Sequence, residues 1–228
     1  MGRLWLPGLT TLAMVSVLLF LGGWQLERAT WKRAILDDIA AAETRPAIAM
    51  PDAPALFTPA LFTKVRAEGI LRYDRAGLYG AEGRDIGGRP VMGAQLLVPL
   101  DRSGQPPLLV LLGWVPGLPG ATAPVPATVE GYIRAPEPAG LFAATDDRPG
   151  RRFYTLDPTA ITSALGITPP LPIILVALGP PVSPPAPDPA RTLPRPTNNH
   201  LSYAATWFGL AAGLVGVFLV YARKVLRS

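Results

Sequence analysis

The sequence predicts a membrane protein of α+β class, with two antiparallel transmembrane helices, one N-terminal and one C-terminal, flanking one mainly antiparallel β-rich extramembrane domain. Three observations carry this. Uncharged runs extend from Leu4 to Leu26 and from Leu201 to Ala222, and each matches the ~20 apolar residues a helix needs to cross a ~30 Å hydrocarbon core. The ~170 residues between them suffice for one globular domain. Those residues carry short apolar or alternating runs separated by turn residues rather than long helical periodicities.

With a span at each end, both termini fall on the same side of the bilayer. The first run is long for a signal-peptide core and ends in Gly22-Gly23-Trp24 instead of a small-residue cleavage site, so it is expected to persist as an anchor. Charge does not orient the pair: Arg3, Arg223, Lys224 and Arg227 flank the spans on the terminal side, Arg28, Lys32, Arg33, Arg191 and Arg195 on the domain side.

In order, residues 1–42 are expected to form the first transmembrane helix (about 4–26) and a juxtamembrane extension through Glu27, Trp31 and Ile35. Residues 43–62 form a Pro/Ala-rich linker, because proline removes a donor and restricts its predecessor. The β-rich domain covers 63–179. Within it Lys64 to Leu71 alternates, and Val91 to Leu100 and Pro107 to Val115 are apolar strands joined by the Asp101-Arg102-Ser103-Gly104 turn as an antiparallel hairpin. Thr128 to Arg134 is a strand closed by Pro136, and Phe153 to Leu156 a short one. Asp157-Pro158 reads as an N-cap and first helical residue of a short helix to about Leu165, stopped by Gly166. Ile173 to Leu178 is the last strand. Residues 180–197 are a proline-dense linker, an extended strap back to the membrane, and 198–228 hold the second transmembrane helix (about 201–222) and a basic tail.

Composition excludes several function classes. The net charge of +5 is spread along the chain and crowds at the span ends, where basic groups meet lipid phosphates; no basic run interleaved with aromatics points to nucleic acid. Without cysteine, disulfides, thiolate metal sites and thiol redox catalysis are excluded. No nucleophile elbow, P-loop or dinucleotide fingerprint occurs. Asp85, Asp146 and Asp147 sit in Gly/Pro-rich stretches and read as turn residues, so no catalytic residue is expected and the chain is read as a non-enzyme.

The sharpest chemical signal is His200, the one histidine, which follows Asn198 and Asn199 at the mouth of the second apolar run. An imidazole there is a candidate haem or metal ligand. At helical spacing Tyr203, Ala204, Trp207, Ala211 and Leu214 share its face, whereas Ala205, Gly209, Ala212, Gly213 and Gly216 lie opposite. Small residues let membrane helices approach closely, so the glycine face is expected to meet the first span or another membrane helix and leave the His200 face for a partner or a bound group. The antiparallel pair also brings Trp24, Gln25, Arg28, Trp31 and Lys32 to the His200 level. If a haem sat there, Arg28, Lys32 or Arg33 would neutralise its propionates and the aromatics would pack on the ring. The alternative keeps His200 as a headgroup-level polar residue bonded by Asn198 or Asn199, with the aromatics and basic groups as interfacial anchors.

Four segments carry a resemblance: Gly23-Trp24-Gln25-Leu26-Glu27-Arg28-Ala29-Thr30-Trp31-Lys32, Gly113-Trp114-Val115-Pro116, Glu130-Gly131-Tyr132-Ile133-Arg134-Ala135-Pro136-Glu137, and Asn198-Asn199-His200-Leu201-Ser202-Tyr203-Ala204-Ala205-Thr206-Trp207-Phe208. In this order they resemble the surfeit locus protein 1 family, the membrane-anchored assembly factors of haem–copper terminal oxidases. One departure is Leu112, where the family's hairpin usually has arginine. The resemblance implies a bacterial inner-membrane protein with cytoplasmic termini and a periplasmic domain, or its mitochondrial inner-membrane counterpart. It implies a chaperone that receives haem a and presents it to the catalytic subunit of cytochrome c oxidase, with His200 as axial ligand. The implied partners are that subunit, the haem a synthesis enzymes and the lipid bilayer. The competing expectation is a scaffold that stabilises an oxidase assembly intermediate without touching haem.

Overall fold

The computed structural model describes residues 4–50, 63–120, 122–137, 140, 143–167 and 170–227. In chain order the elements are α1 (Trp5–Thr44), β1 (Ile48–Ala49), β2 (Lys64–Leu71), β3 (Gly77–Ile86), β4 (Arg89–Arg102), β5 (Gln105–Val115), β6 (Val125–Arg134), β7 (Arg152–Phe153), α2 (Pro158–Leu165), β8 (Ile174–Ala177) and α3 (His200–Arg227). They divide into a helical unit, Met1–Ala40 with Pro194–Ser228, and a sheet unit, Ala41–Leu193. Of the expected linker over 43–62, residues 51–62 lie outside the described residues.

In the helical unit, α1 has 40 residues and α3 has 28, so at ~1.5 Å per residue they reach ~60 Å and ~42 Å. Both are long and apolar enough to cross a membrane, which makes them candidate spans. Their contacts fix an antiparallel register. Gly8 meets Phe218, Gly22 meets Phe208, Gln25 meets His200 and Ala29 meets Asn198, so partner numbers fall along α3 as they rise along α1.

The expected use of the glycine face is corrected here. A Cβ added at Gly209, Gly213 or Gly216 meets nothing within 4 Å, whereas one at Gly22 lies 2.5–2.9 Å from the Phe208 ring. Close approach does use a small residue, but that residue is on α1 and receives an aromatic from α3. Ala204 and Ala211 are buried, on the same side of α3 as His200.

In the sheet unit the strands run β1-β2-β6-β8-β5-β4-β3-β7, with β2 also paired to β4. The pairs Ile70↔Asp101 and Leu71↔Leu100 therefore close β2-β6-β8-β5-β4 into a ring. Inside it, Val65, Val98, Leu108, Val110, Ile133 and Leu175 belong to one core cluster; burying each contributes ~1.5–3 kcal/mol. Leu112, the position of the departure, is in the same cluster. Alternate residues of β5 such as Leu109 and Leu111 are buried too, so this strand is covered on both faces.

The sheet is mixed, which corrects the expectation of a mainly antiparallel one. β1–β2, β3–β7 and β5–β8 are parallel. Each of these pairs joins strands separated by a long connection, the condition parallel pairing needs. Strands linked by tight turns pair antiparallel, as in β4–β5 across Ser103-Gly104. β3 was not anticipated, because Gly80 and Gly83 and several charges dilute its alternation. Its turn signal was nonetheless in the sequence: Gly87 and Gly88 both have positive φ and close the β3–β4 hairpin.

Local chemistry sets α2 as expected. The Asp157 carboxylate accepts from the Thr159 and Ala160 N–H groups, Pro158 is the first helical residue, and Gly166 ends the helix at φ 66°. Asp85, Asp146 and Asp147 take the backbone N–H groups of Gly88, Tyr154 and Gly150. At the ring's seam Arg72 donates to Asp74 at 2.8 and 2.9 Å and to Asp101 at 2.9 Å. That fork holds the Asp74 carboxyl below the usual carboxylate value.

The Gly-Trp-Val-Pro and Glu-Gly-Tyr-Ile-Arg segments have structural causes. A side chain at Gly113, where φ is +133°, would sit 2.2 Å from the Asp188 carbonyl, because Trp114 and Asp188 exchange backbone hydrogen bonds of 2.9 Å. A Cβ at Gly131 would lie 2.1 Å from the Val176 carbonyl. Trp114 is 1% exposed, its indole N–H donates to the Glu82 carbonyl at 2.9 Å, and Arg84 lies over its ring at 5.2 Å. Arg84 and Arg191 both reach Asp188, at 2.6 and 2.8 Å. The proline-dense strap is thus latched to the sheet at Asp188, and the parallel bridge Leu178↔Ala190 extends the attachment.

Candidate functional site

The site is built on the helical unit, where the first turn of α3 meets the middle of α1. Polar side chains are costly between apolar helices unless they pair, and here they do. Nδ1 of His200 lies 2.6 Å from Oε1 of Gln25. The Asn198 amide donates to the Ala29 carbonyl at 3.3 Å, while Ser202 Oγ donates to the Asn199 carbonyl at 2.8 Å. Gly22, Gln25 and Ala29 lie three and four residues apart, hence on one face of α1.

The expected partner of His200 is corrected. Asn198 bonds Ala29, and the imidazole goes to Gln25, which the sequence places in the cluster at this level without marking it as the partner. The usable signal was that Gln25 is the one amide in the uncharged run Leu4 to Leu26. Nδ1 is thereby engaged, and Nε2 has no hydrogen-bond partner among the described residues.

Of the expected site residues, Trp207 shares the His200 side of α3, seven residues on, and is half-buried. Its indole N–H is buried and meets no acceptor, and the Asn198 side-chain oxygen meets no donor, among the described residues. Lys32, half-buried, follows Gln25 by seven residues and so shares its face. Tyr203 is 56% exposed and points away from the contact face.

Trp24, Arg28 and Trp31 form a separate feature. The Arg28 guanidinium lies 4.6 Å from the Trp31 ring and 6.0 Å from that of Trp24, and the two tryptophans are 54% and 44% exposed. At 100° per residue this stack sits about a quarter of a turn from Gln25, at the same level of the helix.

The donor set on the His200 face fits a haem ligated by one histidine. It offers an imidazole whose Nε2 has no partner among the described residues, a buried indole N–H with no acceptor among the described residues, and a lysine at helical spacing. No group of three or more His, Cys, Asp or Glu suited to a bare metal ion occurs among the described residues.

Known proteins resemble this chain over nearly its whole length. A SURF1-like protein of Rickettsia bellii (strain RML369-C) is 28% identical over 236 residues, covering 95% of this chain and 91% of the relative. A SURF1-like protein of Rickettsia felis (strain ATCC VR-1525 / URRWXCal2) is 26% identical over 227 residues, covering 96% and 97%. The match to the SURF1 family runs over residues 12–212, from within α1 through the whole sheet unit into α3, and the chain belongs to that family.

Proposed function

We propose that this protein is an assembly factor for a haem–copper terminal oxidase, cytochrome c oxidase, which receives haem a and holds it on His200 until the catalytic subunit takes it. Family membership supports the oxidase context. The observation that carries the haem reading is His200 itself, the one histidine of the chain, seated at the helix pair with Nδ1 engaged by Gln25. A ligating histidine characteristically gives its other ring N–H to such an acceptor.

Haem, when bound, would supply an iron that an imidazole nitrogen can ligate. His200 would be that ligand, the Trp207 indole N–H a donor two turns along the same side of α3, and Lys32 the cation toward the propionates. A single protein ligand suits a carrier, because cargo that must leave is better held by one bond than by two. The helices would cross the bacterial inner membrane with the termini cytoplasmic and the sheet unit periplasmic, and the enzymes of haem a synthesis would be the source of cargo. No catalytic role is assigned to the chain.

The test is the optical spectrum of the detergent-purified protein co-expressed with the haem a synthesis enzymes, for wild type and His200→Ala. A haem a band in the wild type, and most of it lost in His200→Ala with insertion unchanged, is the expected result. No band in either protein would overturn the haem reading. A second reading, a scaffold for an oxidase assembly intermediate that does not touch haem, draws on the exposed Trp24–Arg28–Trp31 stack.

A further inference from the structure

We infer that Gln25 is a positioning residue that sets the tautomer of His200. Its side-chain carbonyl takes the Nδ1–H and leaves Nε2 as a bare lone pair, the state a metal-ligating histidine needs. The inference deepens the proposed haem reading and rests on it only for the second measurement below.

Distance and atom type come first. The Nδ1···Oε1 separation is 2.6 Å, short for a nitrogen–oxygen hydrogen bond, and an amide oxygen has no proton to give. The ring must therefore donate. The reversed amide would present its NH2 to a bare Nδ1 and leave the proton on Nε2, which would then be unable to ligate. The two arrangements differ in every ring-nitrogen property.

Gln25 is held from both sides along α1. Three residues before it, Gly22 receives the Phe208 ring so closely that an added Cβ would lie 2.5–2.9 Å from it. Four residues after it, the Ala29 carbonyl takes the Asn198 side-chain N–H at 3.3 Å. The aromatic contact and the hydrogen bond bracket the Gln25–His200 pair and fix the helix register at its level. A slip of one residue on either helix would rotate Gln25 about 100° off the contact face.

The partner choice has a chemical reason. A glutamate would place a formal charge among apolar residues and favour the imidazolium, which has no lone pair for a metal. A leucine would leave the ring proton to partition between the nitrogens. A neutral acceptor fixes the proton without charging the ring, and a hydrogen bond in apolar surroundings holds it more strongly than in water.

The direct test uses the lone histidine. Full-length protein labelled with 15N-histidine and reconstituted in lipid nanodiscs gives one pair of ring-nitrogen signals, read at alkaline pH. The expected result is a protonated Nδ1 and a bare Nε2 in the wild type, moving to a mixture or to a protonated Nε2 in Gln25→Leu. A protonated Nε2 in the wild type, or an unchanged pattern in Gln25→Leu, would overturn the inference. If Gln25→Leu does not insert, the wild-type pattern decides alone.

The second measurement is haem a titration followed by its optical band. Loss of this outer partner should weaken binding by the 10- to 100-fold seen when outer partners of ligating histidines are removed, and Gln25→Asn, whose shorter side chain cannot reach, should behave like Gln25→Leu. Equal haem affinity in wild type and Gln25→Leu would overturn the positioning role. A wild type that takes up no haem would sink the proposed function, while the nitrogen spectrum would still decide the tautomer.

Discussion

Two arginine–tryptophan stacks occur in this protein, and they differ in what surrounds them. Arg84 lies over Trp114 in the sheet unit, with its guanidinium committed to Glu82 and Asp188 at 2.8 and 2.6 Å. Arg28 lies over Trp24 and Trp31 in the helical unit, with both rings about half exposed and no ion pair to Arg28 among the described residues. The first stack spends its donors inside the fold, where it latches the strap. The second keeps its donors facing outward, which is what recognition of another molecule requires. The same residue types therefore serve structure in one place and are open to a partner in the other.

The largest break in this comparison is Trp114→Ala. Removing a buried indole should cost ~3–5 kcal/mol, seen as a lower thermal midpoint of the purified protein and freer proteolysis of the strap between residues 180 and 193. A midpoint unchanged within error would mean the latch is not structural.

Asp188→Asn should cost less, about 1–3 kcal/mol, because one buried partner of two arginines loses its charge while Arg84 and Arg191 remain partly exposed and screened. It also carries a pH signature. The Val182 N–H, with the charges of Arg191 and Arg84, holds the Asp188 carboxyl below the usual value. A carboxyl depressed in the folded state contributes stability that is complete above its unfolded pKa of ~3.9 and is lost as pH falls through the folded value. Acid unfolding of the wild type should therefore steepen below about pH 4, and Asp188→Asn should flatten that limb. Parallel acid limbs would remove the assignment.

Arg28→Ala is the smallest in stability and the sharpest in contrast. Exposed cation–π contacts contribute ~0.5–1 kcal/mol, so the thermal midpoint should barely move. Oxidase assembly in a complemented deletion strain should nonetheless fall, because the outward donors are gone. Full assembly with Arg28→Ala would leave the stack as a surface anchor and nothing more.

Much of the fold was legible because its causes are local. Asp157, Pro158 and Gly166 delimit α2 through caps made within a few residues. Lys64 to Leu71 announced β2 by its period of two, and the β4–β5 hairpin followed from Ser103-Gly104 between two apolar runs. β3 was the miss among long strands, since its glycines and charges hid the alternation even though Gly87-Gly88 marked its turn. The site was legible in its types of residue, with His200, Trp207 and Lys32 all found by sequence. It was not legible in its partnerships.

By itself, then, the sequence determined two apolar helices at the chain ends, the strands whose pattern and turns are contiguous, and a lone imidazole at the start of the second helix. Tertiary structure decided what depends on distant segments meeting. It set the parallel pairs β1–β2, β3–β7 and β5–β8, for which pattern gives no direction, and the latch of Asp188 on Trp114. It also decided which face of α3 turns to α1. Both faces of that helix carry small residues, and the choice fell to the fit of the Phe208 ring against Gly22 and to the pairing of His200 with Gln25, complementarities that belong to two helices together and to neither alone.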